Sequence, residues 1–267
     1  MRRAQAIEIQ DLAWCPPSLR DAVTDLLRSA TCWSGCYAPV LPRLRRALER
    51  SGAHRVVDLC SGGGGPWLAR GHHLGDAVTV CLTDRYPNRQ ALDRAVRHGA
   101  GRLMFHPRPV DARHVPEMLD GFRTLYSSFH HFEPHDARAI LADAVRTRQG
   151  LAVFEATSRS PQAILLMLLA PVFALLATPF VRPFRWSRLA WTYALPLVPF
   201  VALCDGLVSC LRTYSPSELA ELADAVDDGD YAWESGAVPS GWFGLSITYL
   251  IGVPGVARNA SPPASPR

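Results

Sequence analysis

The chain of 267 residues is long enough to bury the core of one α/β domain. Hydrophobic residues make up 48% and charged residues 19%, a balance typical of a globular protein and not of a disordered one. The formal charge of +4 is mild, and no cluster of basic and aromatic residues predicts a nucleic-acid partner. The sequence contains no lysine, which excludes sites that depend on a P-loop lysine or a Schiff-base lysine.

The seven cysteines are scattered along the chain. No pair has the C-x-x-C spacing of a zinc or iron–sulfur site, and no acid-rich cluster suggests a metal, so no metal site is expected. The odd number of cysteines and the lack of an apolar signal segment in residues 1–30 predict reduced thiols and a cytoplasmic protein.

The first predicted elements are helices. Ser18, followed by Asp21, is expected to cap a helix that runs through Leu27. Pro42–Arg50 repeats Leu and Arg at helical spacing, and Gly52 is expected to end that helix.

From residue 55 onward, short apolar runs that indicate buried strands alternate with helical patterns. The predicted strands are Arg55–Cys60, Ala77–Thr83, Leu103–His106, Arg123–Ser128, Leu151–Glu155, Tyr231–Val238 and Leu245–Ile251. The predicted helices are Pro66–Arg70, Arg89–His98, His135–Arg148 and Ser215–Val226, the last with Ser215 and Glu218 as a capping box. Such alternation predicts a parallel sheet covered on both faces.

A glycine-rich turn, Ser61-Gly-Gly-Gly-Gly65, joins the first predicted strand to the following helix. Such a turn lets the backbone approach a ligand closely, and an acid after the next strand, here Asp84, can bind ribose hydroxyls. The dinucleotide-binding pattern G-x-G-x-x-G fails in both possible frames, because Trp67 and Cys60 occupy positions that require glycine. The turn therefore predicts a nucleotide-type ligand other than NAD.

The stretch Asp58-Leu-Cys60-Ser-Gly62-Gly-Gly64 resembles the D-x-G-x-G-x-G motif of the class I S-adenosylmethionine (SAM)-dependent methyltransferases, with Cys60 in place of the first glycine. In that family, Asp84 corresponds to the acid on the SAM ribose, and Asp111 lies in the segment that packs on adenine. The segment Ser127–Phe132 lies where the fourth strand meets the methyl donor. The resemblance covers about residues 30–160, and residues 212–252 by topology only. It implies a cofactor site of Asp58, Cys60, Ser61, Gly62, Gly64, Asp84, Arg85, Asp111, Ala112, Ser128 and Phe129. The alternative is a Rossmann-like domain that binds another nucleotide.

Three residues at the carboxyl ends of the fourth and fifth predicted strands, His130, His131 and Glu155, are the catalytic candidates. The alternatives are that the histidines are loop residues and Glu155 a surface carboxylate. Four further residues are candidate substrate contacts: Tyr37, Asp205, Arg212 and Tyr214. For Tyr37 the alternative is a core position, and for Asp205 and Arg212 it is an ion pair that fixes a hinge.

Residues 161–181 and 189–204 are two apolar stretches, joined by a turn with three arginines. The first is long enough to span a bilayer, but repeated prolines and the position of the arginines oppose a membrane-crossing hairpin. The segment is therefore expected to be a lid over a lipophilic acceptor, a contact with a membrane surface, or a helical subdomain or dimer interface.

The sequence thus predicts an α/β three-layer sandwich with a seven-stranded, mostly parallel sheet. The predicted parts are an N-terminal helical cap (1–50), a SAM-binding core (51–160), an apolar insertion (161–211), the rest of the core (212–254) and a disordered tail (255–267). The predicted function is methyl transfer from SAM to a lipophilic small molecule, in the cytoplasm or on the inner face of its membrane, without nucleic acid. The alternative is a membrane-associated SAM- or nucleotide-binding protein without turnover, and a homodimer stays open.

Overall fold

The computed structural model describes residues 2–69, 74–75, 77–99, 101–241 and 244–255. Within them, seven strands form one sheet. The strands are β1 (Arg55–Leu59), β2 (Thr79–Leu82), β3 (Leu103–Phe105), β4 (Phe122–Tyr126), β5 (Leu151–Glu155), β6 (Tyr231–Pro239) and β7 (Ser246–Pro254). The helices are α1 (Pro17–Ser34), α2 (Leu41–Ser51), α3 (Arg89–His98), α4 (Pro134–Arg146), α5 (Pro161–Met167), α6 (Ala170–Ala177), α7 (Trp186–Leu189), α8 (Leu197–Arg212) and α9 (Pro216–Asp224).

The strand order is β3-β2-β1-β4-β5-β7-β6. The pairs between β3 and β5 are all parallel, whereas β7 runs antiparallel to both of its neighbours. This confirms the predicted seven-stranded, mostly parallel α/β sheet. The chain moves outward from β1 to β3 and then restarts at β4 on the other side, so the order reverses between β1 and β4. In open α/β sheets, ligands bind beyond the carboxyl ends of the strands at such a reversal.

Both faces of the sheet are covered. Val56, Val80 and Phe154 point into a core that α2 and α3 complete, and Val57 and Leu125 point into a second core that α4 and α9 complete. Because β4 and β5 are buried along their whole length, they lack the alternation of a half-exposed strand. This explains why the sequence showed them only as short apolar runs.

Most predicted helix ends are confirmed. Gly52 ends α2 in a left-handed conformation, and Ser215 and Glu218 form the predicted capping box of α9. The predicted cap at Ser18 is wrong, because α1 begins at Pro17 and Ser18 lies inside its first turn. The stretch after the glycine turn is a short 3₁₀ helix, Gly65–Leu68, and the predicted end of this helix at Arg70 lies outside the described residues.

The apolar insertion folds as helices α5 to α8, with a π-helical turn at Ala190–Ala194 between α7 and α8. Its inner side packs against α1 in a third core, and the guanidinium of Arg188, 1% exposed, donates to the carboxylate of Asp25 on α1 at 2.9 Å. Within the described residues, no single helix is long and apolar enough to cross a membrane. Two bent helix pairs, Pro161–Met167 with Ala170–Phe180 and Trp186–Ala194 with Leu197–Arg212, meet that criterion by length and composition.

The tail predicted to be disordered, residues 255–267, lies outside the described residues from residue 256 onward.

Candidate functional site

The glycine-rich turn leaves β1 in a backbone conformation that favours glycine. Gly62 and Gly64 have φ of 52° and 81°, and Cys60, at the family's first glycine position, has φ of 56°. A non-glycine residue held in this region costs about 1–3 kcal/mol, so the turn is strained at Cys60. A Cβ on Gly62 would meet open space, whereas one on Gly64 would lie 3.0 Å from Ala95 on α3. Gly62 therefore leaves room beside the turn, and Gly64 lets α3 pack closely.

Asp84 follows β2 and reaches back to this turn. Its Oδ2 accepts a hydrogen bond from the amide of Gly62 at 2.9 Å, and its Oδ1 accepts one from the amide of Tyr86 at 2.8 Å. The predicted ribose-binding acid and the glycine turn thus touch at the carboxyl edge of the sheet. Each carboxylate oxygen keeps a further lone pair with which to accept from a ligand hydroxyl.

Asp58 lies beneath the turn and is 2% exposed. Its two oxygens accept hydrogen bonds from Ser61 Oγ and Thr124 Oγ1, both at 2.6 Å. Burial raises the pKa of Asp58 to about 6, even though these hydrogen bonds favour the charged form. Asp58 and Ser61 were predicted to contact the cofactor. In this geometry Asp58 is a positioning residue that joins the turn to β1 and β4, because both of its oxygens bond within the chain and, unlike the half-buried Asp84, it is closed off from a ligand.

Asp111 and Arg85, two further predicted cofactor contacts, lie beside Asp84. The backbone amide of Val110 donates to the carbonyl of Asp84 at 2.9 Å, and Arg85 Nη1 lies 3.9 Å from Asp111 Oδ2. Arg113 donates to both oxygens of Asp111, at 3.0 and 2.7 Å, and lowers the pKa of that carboxyl to about 2. The contact of Asp111 with adenine stays a prediction, for which one of its remaining lone pairs would serve.

Two other predicted cofactor contacts turn their side chains into the core. Phe129 is 0% exposed and packs against Tyr214, with ring centroids 5.6 Å apart, and Ala112 is buried in the same cluster. Because both side chains are buried, their backbone atoms are the parts that would meet a ligand, and their contact with the cofactor stays a prediction.

The carboxyl end of β4 is shaped by Ser127, whose φ of 42° again lies in the left-handed region. Its hydroxyl bonds to the hydroxyl of Tyr37 at 2.6 Å, and Tyr37 is 3% exposed. Tyr37 therefore occupies the core position given as its alternative, where it positions Ser127. Next to it, the hydroxyl of Ser128 is buried and faces the thiol of Cys60 in the glycine turn. The ends of β1 and β4 thus meet at these two side chains.

His130 and Glu155 form a buried pair at the ends of β4 and β5. Glu155 is 0% exposed, so it is not a surface carboxylate. Its Oε2 accepts from His130 Nδ1 at 2.7 Å, and its Oε1 accepts from the backbone amide of His130 at 3.1 Å. Burial opposes the charged imidazole, but the carboxylates of Glu155 and Glu8 outweigh it and raise the pKa of His130 to about 9. His131 stacks on His130 and is about one-third exposed, at 34%.

The N-terminal segment completes this group, which the sequence did not predict. Glu8 Oε1 lies 3.6 Å from His130 Nε2, and Asp11 Oδ2 lies 3.3 Å from His131 Nδ1. About 120 residues separate these partners in the sequence. Neither Glu8 nor Asp11 belongs to a motif. Their separation of three residues is equally typical of two carboxylates on the exposed side of a helix. No local signal could therefore have revealed them.

The return from the insertion holds this segment in place. Asp205 accepts from the amides of Ile9 and Gln10, at 2.7 and 3.1 Å, and not from Arg212. The ion pair between Asp205 and Arg212, given as an alternative, is therefore wrong. Arg212 instead donates to the carbonyls of His130 and His131, at 3.2 and 2.7 Å.

Tyr214 is 3% exposed and donates to the carbonyl of Phe132 at 2.8 Å. Asp205 and Arg212 are also buried. All three position the chain around the histidines, and their predicted contact with substrate stays a prediction.

A cavity of about 570 Å³ lies apart from this site. It is lined by residues from α1, the 3₁₀ helix, α3 and the turn of the insertion, among them Arg28, Trp67, Arg94 and Arg182. None of the predicted cofactor or catalytic residues lines it. Proximity to the sheet reversal therefore favours the Asp84 edge as the functional site.

Comparison with known proteins supports the fold. No protein-family model matches the sequence, and no curated protein matches it significantly. A putative O-methyltransferase from Nostoc punctiforme has a similar structure, with a TM-score of 0.51 and 14% identity over 94% of this chain and 64% of that one. The chain has the class I SAM-dependent methyltransferase fold. This confirms the predicted resemblance at the level of the fold.

Two other methyltransferases also match. Human N-acetylserotonin methyltransferase, solved with SAM, matches with a TM-score of 0.49 and 12% identity, over 86% of this chain and 56% of that one. Mitomycin 7-O-methyltransferase matches with a TM-score of 0.47 and 18% identity, over 80% and 53%. The chain spans about half to two-thirds of the length of these three proteins.

Replacing Asp58 with Asn is expected to change how the stability of this methyltransferase fold depends on pH. The folded-state pKa of about 6 lies above the ordinary value of 3.8. Asp58 therefore stabilises the folded state most below about pH 4, and this contribution is lost as the pH rises through about 6. Between these limits, we expect the free energy of unfolding of the wild type to fall by up to about 3 kcal/mol relative to Asp58→Asn.

Urea unfolding at a series of pH values measures this difference. Asp120→Asn, at an exposed position, is the matched control and should run parallel to the wild type. A profile for Asp58→Asn that also runs parallel to the wild type would contradict the raised pKa of the buried carboxyl.

Proposed function

We propose that this chain is a SAM-dependent methyltransferase. The observation that carries the proposal is the contact between the Asp84 carboxylate and the Gly62 amide, at the reversal of a sheet with the methyltransferase strand order. The turn and the acid are the two parts of a nucleoside site, and here they touch. The strained backbone at Cys60, beside the buried Ser128 hydroxyl, fits the same site.

SAM, when bound, supplies a methyl group on a sulfonium, which a nucleophile takes by in-line displacement with S-adenosylhomocysteine as the leaving product. The chain's main contribution is position and alignment. Asp84 would accept from the ribose hydroxyls, and the amides of the glycine turn would face the ligand. Ser128 would bond the end of the cofactor nearest β4. Asp58, Ser61 and the Tyr37–Ser127 pair keep these groups in place without contact to the reacting atoms.

The acceptor end of the site is the group of His130, His131 and Glu155. These residues lie at the carboxyl ends of β4 and β5, on the side of the sheet to which the turn also points. His130 is 3% exposed and its Nε2 faces Glu8, so His131 is the imidazole with access to solvent. We propose that this group orients the acceptor and assists the loss of its proton where the nucleophile carries one.

A lipophilic acceptor is supported by the outer side of the insertion. We call this the apolar face, formed by the exposed large side chains of Leu165, Leu168, Leu169, Val172, Phe173, Leu176, Phe180, Phe184, Trp186, Tyr193, Leu195 and Phe200. So large a group of exposed apolar side chains is typical of an interaction surface. No Asp or Glu lies between Glu155 and Asp205, whereas Arg182 is exposed on the turn.

We therefore propose that the apolar face rests on the inner surface of the cytoplasmic membrane. Aromatic side chains and an arginine on one face suit the boundary between acyl chains and anionic headgroups. The insertion begins directly after Glu155 and ends at Arg212, which bonds the two histidines. A molecule dissolved in the membrane would then reach the acceptor end of the site along the insertion. Homodimerisation through the same face is the competing use of this surface.

Replacing Asp84 with Ala is expected to weaken SAM binding by about 10- to 100-fold, because hydrogen bonds to a charged group contribute about 1.5–3 kcal/mol. Titration calorimetry with SAM measures the affinity. Asp84→Asn keeps one acceptor oxygen and should lose less, and Asp93→Ala, at an exposed position on α3, should bind like the wild type. If Asp84→Ala bound SAM as tightly as the wild type, Asp84 would not be the acid that binds the SAM ribose.

Transfer of a labelled methyl group from SAM tests the reaction itself. The protein is incubated with a lipid extract and with an aqueous extract of the source organism, and Asp84→Ala serves as the inactive control. We expect label in a lipid product, together with release of S-adenosylhomocysteine. Label in an aqueous product alone would overturn the lipophilic acceptor but not methyl transfer. SAM binding without product in either extract would favour a binding protein without turnover.

Binding to vesicles tests the apolar face. The wild type should sediment with vesicles that contain phosphatidylglycerol, and less so at high salt. Trp186→Glu, at a side chain that is 77% exposed, should lower binding by about tenfold or more, since burial of a large aromatic side chain stabilises by about 2–3 kcal/mol. Tyr86→Glu, 80% exposed but beside Asp84, is the matched control. A monodisperse wild-type protein that does not bind vesicles would overturn the membrane contact. If the wild type is a dimer and Trp186→Glu is a monomer, the apolar face is a dimer interface instead.

A further inference from the structure

Three potential metal ligands converge where the N-terminal segment meets the end of β4. They are a carboxylate oxygen of Glu8, an imidazole nitrogen of His130 and one of His131, and all lie within 4.8 Å of one another. The methyl-transfer scheme gives Glu8 no role. Burying Glu8 at 3% exposure nevertheless carries a desolvation cost that its contacts must offset.

The distances within this group do not fit hydrogen bonds. His130 Nε2 lies 3.6 Å from Glu8 Oε1, and His131 Nε2 lies 3.8 Å from Glu8 Oε2. Hydrogen bonds between such atoms span about 2.7–3.2 Å. Ligand atoms at about 2.0–2.1 Å around one tetrahedral zinc ion lie roughly 3.3 Å from each other. The three ligand atoms, all within 4.8 Å of one another, would have to draw together by up to about 1.5 Å to bind one ion.

His130 is oriented as a metal ligand. Its Nδ1 bonds to the Glu155 carboxylate at 2.7 Å, so a metal ion would bind at Nε2, in place of the proton there. Nε2 is buried and lies 3.6 Å from Glu8 Oε1. Metal-bound histidines usually have such a carboxylate behind the ring, because it fixes the tautomer and makes the ligand nitrogen more basic.

The charges around this group favour a cation. Three carboxylates face it, those of Glu8, Asp11 and Glu155. The guanidinium of Arg212 lies 3.5 Å from Glu8 Oε1 and is the positive group in contact with these carboxylates. Arg3 is also nearby, but it donates to backbone carbonyls. In a metal complex both imidazoles are neutral, so three carboxylates against one guanidinium leave a negative charge that a divalent cation would offset.

We propose that Glu8, His130 and His131 bind one divalent transition-metal ion of the zinc type. Imidazole nitrogens with one carboxylate select zinc and its neighbours over magnesium or calcium, which prefer oxygen ligands. Three protein ligands leave a fourth position on a tetrahedral ion. The bound ion fastens the N-terminal segment to the ends of β4 and β5. If the proposed methyl transfer also holds, an acceptor oxygen in the fourth position would lose its proton more readily.

Cobalt(II) is the probe, because its tetrahedral complexes absorb strongly in the visible. The full-length protein, freed of metal with a chelator, is titrated with Co²⁺ in the absence of SAM, and bound Co²⁺ is then displaced with Zn²⁺ or challenged with Mg²⁺. We expect one equivalent with a tetrahedral spectrum that Zn²⁺ abolishes and Mg²⁺ does not. A thiolate-to-cobalt band in the near ultraviolet would place the ion on cysteines and overturn the site.

Variants locate the ion. Glu8→Gln, which keeps the shape of the side chain, and His131→Ala are each expected to lower Zn²⁺ affinity by about tenfold or more. His135→Ala, at a histidine that is 94% exposed and outside the group, should bind like the wild type. Circular dichroism and the Tm of the metal-free variants show whether each is folded, and Zn²⁺ should raise the Tm of the wild type more than that of Glu8→Gln.

Absence of stoichiometric binding to the wild type would overturn the proposal, as would equal affinity in wild type, Glu8→Gln and His131→Ala. These measurements use neither SAM nor an acceptor. Failure of methyl transfer therefore leaves them unaffected, and failure of metal binding leaves the Asp84 site unaffected.

Discussion

The buried carboxyl of Asp58 connects three parts of the molecule on which the cofactor site depends. It accepts from Ser61 in the glycine turn and from Thr124 on β4, and its own backbone carbonyl accepts from the Thr83 amide at 2.8 Å. Asp58 therefore joins its own strand β1 to the glycine turn, to the end of β2 and to β4 across the sheet reversal. An acid fits there because Ser61 of the turn and Thr124 of β4 both direct a hydroxyl donor at this point, and an unpaired donor at a buried position is costly.

Strain accumulates around this point. Cys60, Gly62, Gly64 and Ser127 all have positive φ, and they flank the ends of β1 and β4. Such conformations persist only where surrounding contacts over-determine them, and they gather at sites that bind ligands. Here the contacts are those of Asp58 below the turn and of Tyr37 behind Ser127. Hydrogen bonds from Asp58 and Tyr37 thus hold the turn and the end of β4 in these strained conformations.

The opposite end of the site is organised by long-range contacts. The insertion packs on α1 through Arg188 and Asp25, and its last helix delivers Asp205 and Arg212. Asp205 binds the N-terminal segment, and Arg212 binds the carbonyls of the two histidines. The one helix α8 therefore positions both Glu8 and the histidines that Glu8 faces. The insertion therefore serves the site from its inner side, and its outer side is left apolar and exposed. This division explains why a segment so rich in Leu, Phe and Trp persists on the surface of the domain.

The sequence by itself determined those features that depend on neighbours along the chain. The strand ends, the capping box of α9, the glycine turn and the acid after β2 are local patterns, because backbone conformation and hydrogen bonding over a few residues set them. Their order was enough to predict the sheet and the cofactor edge. It was not enough to separate the buried Asp58 from the half-buried Asp84, since both are acids near the carboxyl end of a strand.

Only the tertiary structure decided which distant side chains meet. Glu8 reaches His130, and Asp205 takes the amides of Ile9 and Gln10 instead of Arg212, because α8 returns from the insertion beside the N-terminal segment. Burial was likewise decided there: Phe129 and Ala112 follow the right strands, but the path of the chain turns their side chains into the core. Contacts across more than a hundred residues depend on how helices pack, and no local spacing encodes that packing.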